Sequence, residues 1–86
     1  MNYQVIIESK VENQILDLDK KVSKRVIESI EKMKIQPRPS GCSKLQVLNG
    51  YRIRIGDIRV LYTIDDLRKV VTIYKVDKRS NVYKNN

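Results

Sequence analysis

The sequence predicts a two-layer α+β domain in which a mainly antiparallel sheet is covered on one face by two helices. Three observations carry this expectation. A short β-branched run, Tyr3-Gln4-Val5-Ile6-Ile7, opens the chain. Apolar residues then recur at helical spacing from Val11 to Met33. Beyond Gly50, three apolar runs are separated by short turn signals. An antiparallel sheet made from those runs cannot cover its own apolar face, and the two helices supply the cover.

The elements follow in the order strand, helix, helix, strand, strand, strand. Ser9 reads as the N-cap of the first helix, with Glu12 at capping-box spacing. Val11, Ile15 and Leu18 form its apolar stripe. Asp19 caps a second helix in which Val22, Val26, Ile30 and Met33 repeat on one side. Its other side carries Lys20, Lys21, Lys24, Arg25, Glu28, Glu31 and Lys32, a mixed-charge surface read as solvated. Pro37-Arg38-Pro39-Ser40-Gly41 ends that helix and forms a loop. Lys44–Leu48 reads as extended, and Asn49-Gly50 as a tight turn. Strands are expected over Tyr51–Ile55, Ile58–Ile64 and Lys69–Val76. Gly56-Asp57 joins the first two of these, and Asp65-Asp66-Leu67-Arg68 joins the last two. Asp77 onward reads as a polar tail.

Residues 1–86 are read as a single domain, with no repeat, linker or low-complexity segment. A domain this small buries little more than about 60% of its unfolded surface, so a permanent protein partner would add to its stability. Without Trp or Phe, its five tyrosines supply all the aromatic surface. The single cysteine, Cys42, excludes an internal disulfide and holds no metal alone. No apolar run is long enough to span a membrane and no signal-peptide pattern follows Met1, so the expectation is a cytoplasmic protein.

Lys and Arg number 18 against ten Asp and Glu, a net charge of +8. From Lys44 onward there are ten cations and four acids, which places six of the eight excess charges in the second half. The expected partner is a polyanion or an acidic protein. Strand parity sends Arg52 and Arg54 to one face and Tyr51, Ile53 and Ile55 to the other. If the next hairpin aligns Arg59 with them, three guanidinium groups converge on the face away from the helices. Lys78 and Arg79 are expected to curl over the same edge, with Tyr83 beyond them. Arg59 has a second reading, an ion pair with Asp57 or Asp65 across a hairpin. Tyr62 and Tyr74 read as core. Asp65-Asp66 reads as turn chemistry rather than a metal site, because adjacent carboxylates in a short turn point apart.

The chain contains no histidine, so protons must move through Lys, Tyr, carboxylates or a partner's groups. Arginine is a poor general base but suits charge stabilisation on a phosphate. These residues fit RNA cleavage in which the neighbouring 2′-hydroxyl attacks phosphorus. That reaction needs in-line alignment, stabilisation of the extra phosphate charge, and proton transfer at both ends. No metal or other cofactor is called for.

Tyr51-Arg52-Ile53-Arg54-Ile55-Gly56-Asp57-Ile58-Arg59-Val60-Leu61-Tyr62, followed by Val76-Asp77-Lys78-Arg79-Ser80-Asn81-Val82-Tyr83, resembles the RelE/ParE family of bacterial and archaeal toxins. The resemblance covers essentially the whole chain, including the Pro-x-Pro-x-Gly loop before Lys44-Leu45. It implies a type II toxin held silent by a cognate antitoxin; for the RelE-like branch it implies cleavage of messenger RNA on the ribosome. Arg52 and Arg54 match the family's basic pair, Arg59 its phosphate-contacting arginine, Arg79 its catalytic arginine and Tyr83 its C-terminal tyrosine. RelE-type motifs often carry lysines at Arg52 and Arg54, and many relatives carry histidine at Lys78. The expected catalytic group is thus Arg59, Arg79, Tyr83 and Lys78, with Arg52, Arg54 and Lys44 binding RNA phosphates. Lys78, Tyr83 and a ribosomal RNA group are the candidate proton acceptors. An acidic antitoxin is expected, and operator DNA is expected to be met only through the antitoxin complex. Two alternatives differ in mechanism: a ParE-like toxin that inhibits DNA gyrase without cutting RNA, and a basic RNA-binding module. The latter lacks the aromatic pair that stacking platforms place on central strands.

Overall fold

The computed structural model describes residues 2–78. Its strands are β1 (Gln4–Ile7), β2 (Ser43–Lys44), β3 (Gly50–Ile55), β4 (Ile58–Asp65) and β5 (Val70–Lys78); its helices are α1 (Ser9–Leu16) and α2 (Lys20–Lys32). The sheet order is β1-β5-β4-β3-β2. β1 lies parallel to β5 while the remaining neighbours are antiparallel. This is the expected α+β layering, with a first strand that joins the far edge of the C-terminal meander. The β1–α1–α2 segment then crosses one face of the sheet before the chain re-enters it.

Helix spacing places Val11 and Ile15 of α1, and Val26 and Ile30 of α2, against the sheet. Met33, just past α2, joins them, and β3, β4 and β5 contribute Ile55, Ile58, Val60, Tyr62, Ile64, Val71, Ile73 and Val76. Burying each of the larger aliphatic side chains stabilises the fold by about 1.5–3 kcal/mol before entropy is charged against it. Tyr62 is fully buried, and its hydroxyl donates to the Pro37 carbonyl at 2.9 Å, tying the proline loop to the central strand.

Several local expectations shift. Glu8, not Ser9, occupies the N-cap of α1, and neither Glu8 nor Asp19 makes a side-chain cap hydrogen bond. Only Ser43 and Lys44 of the anticipated extended stretch pair in the sheet. The chain then turns, with Gly50 N–H donating to Val47 O at 2.9 Å and Asn49 taking φ +58°. A Cβ at Gly50 would lie 3.2 Å from both Val47 Cβ and Val47 O, so this tight turn favours glycine there.

The last strand reaches Lys78, so Asp77 belongs to the sheet and not to a tail. It also carries a β-bulge. Tyr62 pairs with Ile73 whereas Leu61 pairs with Lys75, leaving Tyr74 as the extra residue. Tyr74 is consequently half-buried and outside the core, unlike Tyr62. β1 pairs only with Val70–Ile73, and beyond it α1 takes over. Gln14 Oε1 accepts the Val76 N–H at 2.8 Å, satisfying a strand donor that has no neighbour on that side.

Candidate nucleic-acid interface

The face of the sheet away from the helices is the place where charge collects. Residues directly opposite in an antiparallel ladder share a face, and the register sets Arg54 against Arg59, and Arg59 in turn against Asp77. The neighbouring row is Arg52, Leu61 and Lys75. Arg52, Arg54 and Arg59 therefore converge as the strand parity predicts. Their cross-strand setting is repulsive by itself, because Arg54 and Arg59 are like charges face to face. Asp77 relieves this from the other side. Arg59 Nε donates to Asp77 Oδ1 at 3.1 Å and Nη2 to Oδ2 at 3.2 Å. The two side chains retain only 27% and 25% of their exposure, so water screens this pair less than a surface pair. Lys75 Nζ lies 3.7 Å from the same carboxylate.

Arg59 thus does have an ion-pair partner, but it is neither Asp57 nor Asp65. Asp65 instead accepts the Arg68 N–H at 3.0 Å and fixes the β4–β5 turn. Among the described residues, Arg52 and Arg54 make no salt bridge. The outer face accordingly offers two unpaired guanidinium groups beside one that is held at a fixed angle.

Lys44 and Lys78 are not brought into this group. Lys44 pairs with Tyr51, and Tyr51 pairs with buried Tyr62, so Lys44 stands on the helix side of the sheet. Its Nζ lies 5.4 Å over the Tyr51 ring. Lys78 pairs with Ile58, a core residue, which puts it on the same side at the strand's end. There it lines a hollow with Gln14, Asp17 and Leu18. One residue of alternation separates each lysine from the arginine face. Arg79 and Tyr83 lie outside the described residues.

Lys75 and Asp77 belong to the face although strand alternation does not place them there. The bulge at Tyr74 explains the difference. A period of two carried on from Val71 and Ile73 would aim Lys75 and Asp77 into the core.

A second polar cluster sits at the opposite end of the helix side. Arg38, from the proline loop, forms a forked pair with Asp66, Nη2 to Oδ2 at 2.7 Å and Nη1 to Oδ1 at 3.2 Å. Arg38 Nε donates to Tyr51 Oη at 3.1 Å, and Tyr3 Oη donates to Asp66 at 2.6 Å. Tyr51 in turn stacks on Tyr62, with ring centroids 6.0 Å apart. Arg38 holds the Asp66 carboxyl down at about 2, with help from Tyr3, and the same contact pushes the Arg38 guanidinium further up. Burial, with Cys42 close by, raises the Tyr62 phenol. These groups brace the loop and turns; no part of the cluster faces the arginine row.

Among the described residues, no group of three His, Cys, Asp or Glu side chains is placed to hold a metal ion. No described helix is long and apolar enough to cross a membrane.

Residues 5–83 match the family model described as the ParE toxin of the type II toxin–antitoxin system parDE. A Methanocaldococcus jannaschii protein provisionally named toxin RelE1 is 34% identical over 91 residues, spanning 99% of both chains. The archaeal RelE–RelB complex from Pyrococcus horikoshii OT3 contains a chain that superposes with a TM-score of 0.84 at 30% identity, covering 92% of this chain and 97% of that one. The isolated Escherichia coli RelE toxin shares the fold, with a TM-score of 0.76 at 23% identity over 96% and 93% of the respective chains. The chain therefore belongs to the RelE/ParE family of type II toxin–antitoxin toxins.

Proposed function

We propose that this protein is a RelE-like endoribonuclease that cleaves messenger RNA on the ribosome and so stops translation. The observation that carries the reading is the outward row of Arg52, Arg54 and Arg59, with the Arg59 fork fixed by Asp77. A guanidinium already bound through Nε and Nη2 has little rotational freedom left to lose when its remaining N–H groups meet a phosphate. Similarity to the RelE chain of the Pyrococcus horikoshii complex supports the same branch of the family.

In the proposed reaction the 2′-oxygen bonds to phosphorus and the bond from phosphorus to the 5′-oxygen breaks. The products are a 2′,3′-cyclic phosphate and a 5′-hydroxyl. Arg59, with Arg79 carried over from the family motif, neutralises charge on the pentacoordinate phosphate. Arg52 and Arg54 hold flanking phosphates, and Tyr83 stacks on or orients a base. The 2′-hydroxyl proton goes to Tyr83, Lys78 or a ribosomal group, and the departing 5′-oxygen takes a proton from another of these groups or from water. Lys78 starts on the other face of β5 from Arg59, which favours Tyr83 or a ribosomal group as the acceptor.

A cognate antitoxin is the natural partner, since the Pyrococcus horikoshii relative is described in complex with RelB. An acidic antitoxin would offset the +8 charge. We further propose that it carries the pair to operator DNA.

The test is induction of the chain in a host, with 5′ ends of messages mapped while DNA supercoiling is followed in parallel. Cuts within codons that disappear with Arg59→Ala or Arg79→Ala are the expected result. Intact messages with loss of gyrase supercoiling would replace this reading with a ParE-like one.

A further inference from the structure

The arginine row does not stop at the edge of the sheet. Around the β3–β4 hairpin, α2 presents Arg25, Ser29 and Lys32 at spacings of four and three, one stripe along the helix. That stripe faces Ile53, Arg54, Ile55 and Gly56 across an open hollow of about 340 Å³. Gly56, at φ +62°, leaves the turn without a side chain, and Arg25 Nη1 would stand 3.9 Å from a Cβ placed there. Arg25, Lys32 and Arg54 make no salt bridge among the described residues, although Glu28 lines the same hollow. Two helix cations thus share one concavity with a single carboxylate, and Arg54, whose side chain leaves β3 on the outer face, borders that hollow from the arginine row.

Most charged helix faces are simply hydrated. This one differs in being concave, in leaving its cations without a salt bridge among the described residues, and in being bordered by Arg54 of the proposed phosphate-binding row. We infer that the α2–β3 hollow is a second phosphate site for single-stranded RNA, holding the backbone beside the segment that lies over Arg52, Arg54 and Arg59. The inference rests on the RNA reading of the arginine face and adds where the strand goes next. Arg25 and Arg54 grip phosphate oxygens through guanidinium forks, Lys32 adds a point charge, and the Ser29 hydroxyl is a further donor. Glu28 sets a limit on how tightly the site holds an anion.

The chemistry of the lining favours RNA over an antitoxin segment. A protein segment docks through apolar anchors, and among the described residues a mainly apolar groove lies elsewhere, lined by Ile7, Glu12, Ile15, Leu16 and Ile27.

The experiment uses the full chain and a short oligouridylate whose 2′-hydroxyls are methylated, so that binding is measured without cleavage. Affinity is followed by fluorescence anisotropy across a salt series. Arg25→Gln with Lys32→Gln is expected to weaken binding about five- to ten-fold at low salt. The slope of log affinity against log salt should fall by about 1.4, roughly 0.7 for each phosphate that is no longer neutralised. Glu28→Gln should tighten binding. Lys20→Gln with Lys24→Gln removes the same charge from α2 outside the hollow, and should leave most of the affinity in place.

Equal loss in the two double variants would reduce the effect to net charge and overturn the inference. RNA binding unchanged in Arg25→Gln with Lys32→Gln, with weaker capture of an acidic antitoxin peptide, would overturn it in favour of a protein contact. A wild-type chain that binds no oligouridylate would also overturn the inference, while the ribosome-dependent nuclease reading stands or falls separately on the 5′-end mapping. Circular dichroism of each variant confirms that the helix is kept.

Discussion

Asp77 grips Arg59 through both carboxylate oxygens, at 3.1 and 3.2 Å, from the neighbouring strand of the same sheet face. In the proposed nuclease that carboxylate would both orient the guanidinium and compete with an incoming phosphate for it. The two effects would act in opposite directions on cleavage and on binding.

Asp77→Asn separates them. Removing one negative charge a few ångströms from the phosphate site gains about 1 kcal/mol in a water-like dielectric, about five-fold in RNA affinity. The amide holds the fork more weakly, so cleavage per bound complex should drop. Single-turnover rates and anisotropy on the same preparation check both directions. Tighter binding with an unchanged rate would show that Asp77 only competes and does not orient.

Arg59→Lys tests geometry against charge. Lysine keeps the positive charge but not the planar fork, so it cannot hold Asp77 and a phosphate oxygen together. Salt dependence of RNA binding should remain close to wild type. Cleavage should fall about a hundred-fold, the scale of losing one preorganised charge stabiliser. A variant that cuts at near wild-type rate would remove the oriented fork from the mechanism.

The sequence makes the layered fold and the arginine face legible for the same reason: both depend on simple periods. Val22, Val26, Ile30 and Met33 mark the buried side of α2, and Arg52 and Arg54 alternate cleanly with Ile53 and Ile55. The period of two fails at Tyr74, where one extra residue reverses the facing of everything after it. Lys75 and Asp77 are therefore hidden from a reading by alternation, and Arg59's true partner with them. The lysines fail differently. Lys44 and Lys78 are close to the arginines along the chain, but each falls on the opposite side of the sheet, a distinction only register decides. Arg38 is invisible in the sequence because its partners, Tyr51 and Asp66, come from distant turns and strands.

Tyr62→Phe isolates the tie between the core and the proline loop. The lost hydroxyl leaves the Pro37 carbonyl without its 2.9 Å donor in a buried position. An unsatisfied buried acceptor costs about 1–3 kcal/mol, and each kcal/mol lowers Tm by about 4–8 °C in a domain of this size. Differential scanning calorimetry checks the shift. An unchanged Tm would mean that water replaces the phenol.

Asp66 makes stability depend on acid. In the folded chain its carboxyl is held at about 2 by the Arg38 fork and the Tyr3 hydroxyl, whereas in the unfolded chain it titrates near the ordinary value of about 4. Between these values the unfolded state takes up a proton that the folded state refuses, so protonation favours unfolding. The contribution is complete above about pH 4 and is lost as the pH falls toward about 2. Wild type should therefore be more stable than Asp66→Asn at neutral pH, and the gap in Tm should close over that acid interval. Because the pair is exposed, added salt should narrow the gap at neutral pH as well. A Tm difference that stays constant from pH 7 to pH 2 would show that the carboxylate's charge is not what braces the proline loop.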